Sequence, residues 1–217
     1  MPSQRVAENV EPARVRRKNL KARNVLLLGL ASLICGCEGR LSPDEAGLLD
    51  AVSFVIGGQQ EGAMPQGFET RWRRTVEGRQ IQYESMRQNA GFGDANDPNR
   101  ASRHIKVRVN ISSPQNCVFK TVVTTAYSKG GSKESFDSPS SEVTTLDFNK
   151  VQRLAIEEGS PPSVVIEGRA WLCKDGKCQD RMTAAISASR QEDLPRVIES
   201  KRHAIEFIKK TCPGLKR

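Results

Sequence analysis

The clearest periodicity in the chain lies at residues 103–111, where apolar and polar side chains alternate. The apolar positions are Ile105, Val107, Val109 and Ile111, and the polar positions are His104, Lys106, Arg108 and Asn110. A period of two is typical of a strand with one buried face and one face in water. Further segments rich in β-branched residues and bounded by turn residues are 69–76, 80–86, 117–127, 142–148, 163–172 and 179–189. Together they predict an antiparallel sheet with one polar face.

A different spacing follows Ser42, whose side chain can cap the start of a helix. Pro43 suits the first helical position, and Glu45 completes a capping box. The apolar positions after it are Leu48, Leu49, Val52, Val55 and Ile56. We therefore predict a helix that begins after Ser42 and ends at Gly57.

A second helix is predicted over residues 194–211, where apolar residues recur at helical spacing and Lys201 lies near the edge of the apolar face. With the strands between them, the two helices predict one α+β domain over residues 42–217. Its expected architecture is an antiparallel β-meander of about five to seven strands, with the N-terminal and C-terminal helices on one face.

Two segments have the composition of loops: residues 88–100, rich in Gly, Asp and Asn, and residues 129–141, rich in Ser, Gly and Lys. The first invites a calcium interpretation, but it lacks the spacing of acidic residues and the closing Glu of an EF-hand loop. An exposed turn is the preferred interpretation.

A short apolar run, residues 25–36, follows a basic segment near the N-terminus. A dozen residues are too few for a membrane-spanning helix, which needs roughly 20, and suit the apolar core of a secretory leader. The alternative is a buried core helix, which the basic flank disfavours.

The run closes with Ile34-Cys35-Gly36-Cys37, which resembles the lipobox of bacterial lipoproteins: an aliphatic residue, a tolerant position, a small residue and an obligatory cysteine. The resemblance covers only the leader. It implies that residues 1–36 are a lipoprotein signal peptide, that Cys37 receives the lipid, and that residues 37–41 form a lipidated tether.

The same resemblance implies a location in the bacterial cell envelope, with the domain facing the periplasm and the membrane reached through the lipid on Cys37. Glu38 follows that cysteine, where Asp would favour retention in the inner membrane, so the outer membrane is expected. The basic segment is long for such a leader, and translation from a later start near Val15 is a further hypothesis.

The charge of the chain divides unevenly at this leader. The formal charge is +9, but residues 37–217 hold 27 basic and 23 acidic residues, a difference of only +4. A mildly basic domain without a concentrated basic stripe argues against a nucleic-acid partner.

Five basic residues nevertheless fall on or beside the first predicted strands: Arg71, Arg73, Arg74, Lys106 and Arg108. A solvated sheet face is their ordinary interpretation. The alternative is an anion-binding face for an anionic lipid or an acidic glycan.

Four cysteines remain after the leader, Cys117, Cys173, Cys178 and Cys212, and an exported domain would hold them as disulfides. Asp175-Gly176 is a strong two-residue hairpin signal, and it would place Cys173 directly opposite Cys178. We therefore predict a Cys173–Cys178 bond and, by elimination, a Cys117–Cys212 bond. A zinc site that recruits His203 is the weaker alternative, and no metal or cofactor is expected.

Catalytic motifs are missing from the sequence: it has no nucleophile elbow, phosphate loop, dinucleotide fingerprint or zinc-protease helix. Its two histidines, His104 and His203, are expected on polar surfaces, with His203 and Glu206 as a solvated pair. We predict a binding or scaffolding role rather than an enzyme, with an envelope protein as a further possible partner. The alternatives are a small hydrolase, which a cleft with two carboxylates would favour, and a lipid or small-molecule carrier, which an apolar cavity would favour.

Overall fold

An antiparallel sheet of eight strands forms the body of the domain in a computed structural model that describes residues 40–65, 67–89, 103–129 and 132–216. These residues belong to one compact unit, Gly36–Arg217. Residues 1–39, which include the predicted signal peptide and Cys37, and most of the predicted loop at 88–100 lie outside the described residues.

The strands have the following bounds: β1 Arg73–Glu77, β2 Gln80–Asn89, β3 Arg103–Gln115, β4 Val118–Tyr127, β5 Ser140–Asp147, β6 Val151–Glu157, β7 Ser163–Lys174 and β8 Lys177–Ala185. Short 3₁₀ turns lie at Phe148–Lys150, Gln191–Asp193 and Pro213–Lys216. The α+β class is confirmed, but the strand count is higher than expected. The sheet is also not a simple meander, because the order is β1-β2-β3-β4-β5-β7-β6, with β8 paired to β7.

The strand missed in the sequence is β6. Its pairing with β7 shifts register between Val151 and Arg153, so its buried residues Val151 and Leu154 are three positions apart. A bulge of this kind removes the period of two that identified the other strands.

Both predicted helices are present. The first, α1, spans Pro43–Gly57, and both arms of the capping box form: the Ser42 amide donates to Glu45, and the Glu45 amide donates to the Ser42 hydroxyl. The helix ends at Gly57, as predicted, and Gly58 after it forms a left-handed cap with φ of 71°.

The second helix, α2, spans Leu194–Thr211 as predicted. It runs antiparallel to α1: the Lys201 amine contacts the last turn of α1, and a side-chain carbon at Gly47, near the start of α1, would lie 3.7 Å from the Phe207 ring.

One hydrophobic core holds the domain together. It joins buried residues of α1, such as Val52 and Val55, and of α2, such as Ile205 and Ile208, to aromatic residues that include Trp171. Phe148 packs edge-on against both Phe119 and Trp171. Because the helices and strands share these contacts, neither can lose its packing without exposing the apolar surface of the other.

Both predicted disulfides are present. Cys173 lies opposite Cys178 in the β7–β8 hairpin, with Cα atoms 4.0 Å apart, and Lys174 lies opposite Lys177 beside the turn. Cys117, in the turn before β4, is bonded to Cys212, the residue that directly follows α2. The second bond closes a loop with a sequence separation of 95, so it ties the C-terminal helix to the β3–β4 turn.

His104 differs from its expected exposed position, since only 6% of its surface is exposed. Its Nδ1 lies 3.2 Å from a carboxylate oxygen of Glu69. The backbone of Ser128 pairs with that of His104, and Lys133 lies 3.4 Å from Glu69. The segment after β4 therefore lies beside the end of the polar face that holds His104. The alternation along β3 alone had predicted that this face lies in water.

Candidate ligand-binding cleft

A cleft of about 780 Å³ lies where the last turn of α1 approaches the start of α2. Its other walls are the segment after α1, residues 58–65, and the end of β8 with the segment that follows it, residues 184–190. The volume falls within the range of about 300 to 1,000 Å³ that small-molecule sites occupy.

The walls of the cleft are held by backbone bonds between distant segments. Gly58 turns the chain out of α1, and Gly62 and Ala63 then exchange backbone hydrogen bonds with Trp72. The Ser189 hydroxyl donates to the carbonyl of Met64, which joins the two loop segments. Local turns therefore shape the cleft. A contact between residues more than 100 positions apart in the sequence holds its walls together.

Four basic side chains and two acidic ones line this cleft: Arg71, Arg190, Arg196, Lys201, Glu61 and Asp193. Arg71 donates to the Gly62 carbonyl at 2.7 Å, and Arg190 lies 3.6 Å from the exposed Glu192. Among the residues that the structure describes, no carboxylate forms an ion pair with Arg71 or Arg196. Both guanidinium groups therefore keep donors for an anion.

The Lys201 amine is the most deeply buried charge in the cleft wall, with 6% of the residue exposed. It donates to the carbonyls of Phe54 and Val55, and it lies 4.4 Å from the centre of the Phe54 ring. Burial lowers the pKa of Lys201 to about 8. The amine thus caps the C-terminus of α1. From the sequence, Lys201 was expected near the edge of the apolar face of α2.

A smaller cavity of about 400 Å³ adjoins the cleft, since Phe54, Gln60 and Glu61 line both. On its wall, Asp50 accepts two bonds from the Arg74 guanidinium, at 2.9 and 3.0 Å, and a third from the Tyr83 hydroxyl. Burial, together with the bond to Asp50, raises the pKa of Tyr83 far above its ordinary value. The Asp50 bond likewise raises the pKa of Arg74.

The five basic residues of the predicted anion-binding face lie in three different places. Arg71 lines the cleft, and Arg74 reaches Asp50 of α1. Arg73, Lys106 and Arg108 converge on a single carboxylate, that of Glu84. The sequence therefore identified basic residues without showing which of them share a surface.

Glu84 partly neutralises the three cations that surround it. Its side chain is 13% exposed, and Arg108 approaches one oxygen at 2.9 Å while Arg73 approaches the other at 3.0 Å. Burial raises the pKa of Glu84, but the Arg108 bond and the nearby cations outweigh it, so the pKa lies below its ordinary value. This cluster has a net charge of +2 at neutral pH.

The other sequence candidates do not form a site. His203 is 77% exposed and pairs with Glu199 at 3.0 Å rather than with Glu206, which pairs with Lys209. Cys117 and Cys212 are consumed by their disulfide. Within the described parts of the chain, no group of three or more potential metal ligands lies close together.

Comparison with known proteins adds no relative. No family model, curated protein or solved structure matches the chain. Within the described residues, no helix is both long enough and apolar enough to cross a membrane.

Sequence reasoning missed two residues of the cleft, Arg190 and Arg196, because they are ordinary exposed positions before and within α2. Lys201 did carry a signal: a lysine near an apolar helix stripe is expected either to extend its amine to water or to find buried acceptors. The structure shows the second outcome.

Proposed function

We propose that this chain is a bacterial lipoprotein, attached to the envelope membrane through a lipid on Cys37, and that its domain has a binding role. The cleft with its excess of basic side chains is the binding site. Arg71 and Arg196 carry this proposal, because neither forms an ion pair with a carboxylate among the described residues, and such cations gain most from an anionic ligand.

The lipobox resemblance supports the attachment. One acyl chain attaches a protein to a bilayer only marginally. Two or three chains, at about 0.8 kcal/mol per buried methylene, hold the protein there durably. The six steps of chain from Cys37 to Pro43 can span at most about 22 Å, so the start of α1 would remain near the membrane. We propose the outer membrane and a domain that faces the periplasm.

The position of the cleft supports a role away from the membrane surface. The 15 residues of α1 cover roughly 22 Å, and the cleft lies at the helix end opposite the tether. A ligand in the periplasm could therefore enter the cleft while the lipid remains in the bilayer.

Membrane attachment is tested by cell fractionation of the full chain. Cys37→Ala removes the proposed lipid acceptor and should move the protein from the membrane fraction to the soluble fraction. Cys35→Ala is the matched control: it lies two residues earlier, in the proposed leader, and should leave the protein in the membrane fraction. Retention of Cys37→Ala after high-salt washing would contradict the proposal.

Binding is tested by native mass spectrometry of the mature domain, secreted from cells with a cleavable leader. A bound molecule should appear as extra mass that disappears on denaturation. Substituting both Arg71 and Arg196 by Gln should remove that extra mass. Extra mass that survives in this double variant would place the ligand elsewhere.

A further inference from the structure

We infer that the cleft holds a single-chain amphiphile, with its anionic head against Arg71 and Arg196 and its chain along the apolar wall. This inference rests on the proposed function and names the ligand class for the same site.

The charge distribution supports an anionic head. The cleft lining carries four basic and two acidic side chains, and Glu61 and Asp193 are the acidic ones. Lys201 is occupied by carbonyls, and Arg190 lies near Glu192, so Arg71 and Arg196 are the lining guanidinium groups that form no ion pair with a described carboxylate. A guanidinium binds phosphate or carboxylate through paired bonds, so both head chemistries fit.

The apolar residues of the cleft support a hydrocarbon chain. Apart from alanines, the apolar lining residues with partly exposed surfaces are Phe54, Ile56, Met64, Pro65 and Val197. They come from three segments of the chain and border the same cavity as the two arginines. A ligand with a charged head alone would leave these surfaces in water, whereas an attached chain would cover them.

The contrast with the outer face of the sheet favours the cleft. There, Arg73, Lys106 and Arg108 share the carboxylate of Glu84, and the strands present polar neighbours such as Asn110 and Thr124. An anionic ligand on that face would compete with Glu84. In the cleft, it meets two arginines that form no ion pair with any described carboxylate.

The chain contains a suitable optical probe for this inference. Trp72 lines the cleft, whereas Trp171 is fully buried against Phe148 and is not part of the lining. Ligand entry should therefore change the emission of Trp72 and leave that of Trp171 as a constant background. Trp72→Phe should remove the response.

The experiment titrates the mature domain with dodecyl phosphate and with dodecanoate, both below their micelle concentrations. Each should bind at one per chain, and the tighter of the two identifies the head group. Dodecyl maltoside has the same chain with a neutral head, and inorganic phosphate has the head without the chain. Both controls should bind at least tenfold more weakly.

Matched variants separate the cleft from general charge effects. Arg71→Gln and Arg196→Gln should each weaken dodecyl phosphate binding about tenfold, the loss expected for one charge-assisted bond. Arg73→Gln removes the same charge from the outer face and should leave the affinity unchanged.

Three results would overturn the inference: equal binding of dodecyl maltoside, equal binding of inorganic phosphate, or unchanged affinity in both cleft variants. None of these bears on whether Cys37 is lipidated, so they can be distinguished from failure of the membrane attachment.

Discussion

At the scale of single residues, burial and partner choice decide what each charge does. Lys201 illustrates why a sequence pattern is incomplete: its helical position was predicted, but its acceptors are carbonyls of a helix about 150 residues earlier. The Asp50, Arg74 and Tyr83 group is similar, since its members come from α1, β1 and β2. Spacing along the chain cannot reveal such contacts, because they depend on how the helices dock on the sheet.

The buried amine predicts a specific pH dependence of stability. The pKa of Lys201 is about 8 in the folded domain, whereas a lysine that is not buried, as in the unfolded chain, has a pKa of 10.5. Between these two pH values the unfolded chain therefore binds more protons than the folded domain. The stability that this group contributes is therefore lowest below pH 8, and it rises as the pH increases from 8 toward 10.5. Relative to Lys201→Met, the native domain should gain about 2 kcal/mol of unfolding free energy between pH 7 and 9.5.

The measurement is guanidinium unfolding of both proteins at the two pH values. The difference between them isolates Lys201 from the other lysines and the tyrosines. A difference that stays constant with pH would show that burial does not lower this pKa.

Removing the carboxylate of Asp50 predicts a second effect on stability. Asp50→Asn would weaken the bonds from Arg74 and Tyr83 and leave a partly buried guanidinium without its counter-charge. We expect a loss of about 1 to 3 kcal/mol, measured by chemical unfolding. Glu192→Gln changes an exposed ion pair and should cost less than about 0.5 kcal/mol; an equal loss in both would refute the special role of Asp50.

At the scale of elements, the prediction succeeded where local chemistry dominates. The capping box at Ser42 and the bounds of α2 follow from short-range spacing, and the Asp175-Gly176 turn correctly set the pairing of Cys173 with Cys178. The prediction failed at β6, where a bulge breaks the alternation, and in the order of the last strands. Strand order depends on long-range pairing that no local pattern contains.

The two disulfides should differ in their effect on stability. In the chain-entropy model, the Cys117–Cys212 bond closes a loop with a separation of 95 and contributes about 4 to 5 kcal/mol, whereas the hairpin bond, with a separation of 5, contributes about 2 kcal/mol. Serine pairs at each bond, compared by chemical unfolding, should show this order. Equal losses would mean that loop closure is not the main contribution.

At the scale of the whole molecule, we propose three parts along the chain. The proposed leader carries more than half of the excess positive charge, the proposed tether starts at Cys37, and the cleft of the domain lies at the C-terminal end of α1. The basic and apolar segments near the N-terminus were sufficient to propose export, and the resemblance of residues 34–37 to a lipobox was sufficient to propose lipidation. The cleft was not predictable, because Arg71 and Arg196 are separated by 125 residues and come together only in the folded chain.

The central claim is lipidation of Cys37, and the most direct measurement is mass spectrometry of the N-terminal peptide from membrane-extracted protein. Trypsin should cut after Arg40 and release the four residues Cys37 to Arg40. We predict that this peptide begins at Cys37 and carries a diacylglyceryl group on sulfur and an acyl chain on its amino group. An unmodified Cys37, or a peptide that still includes Cys35 and Gly36, would contradict the account.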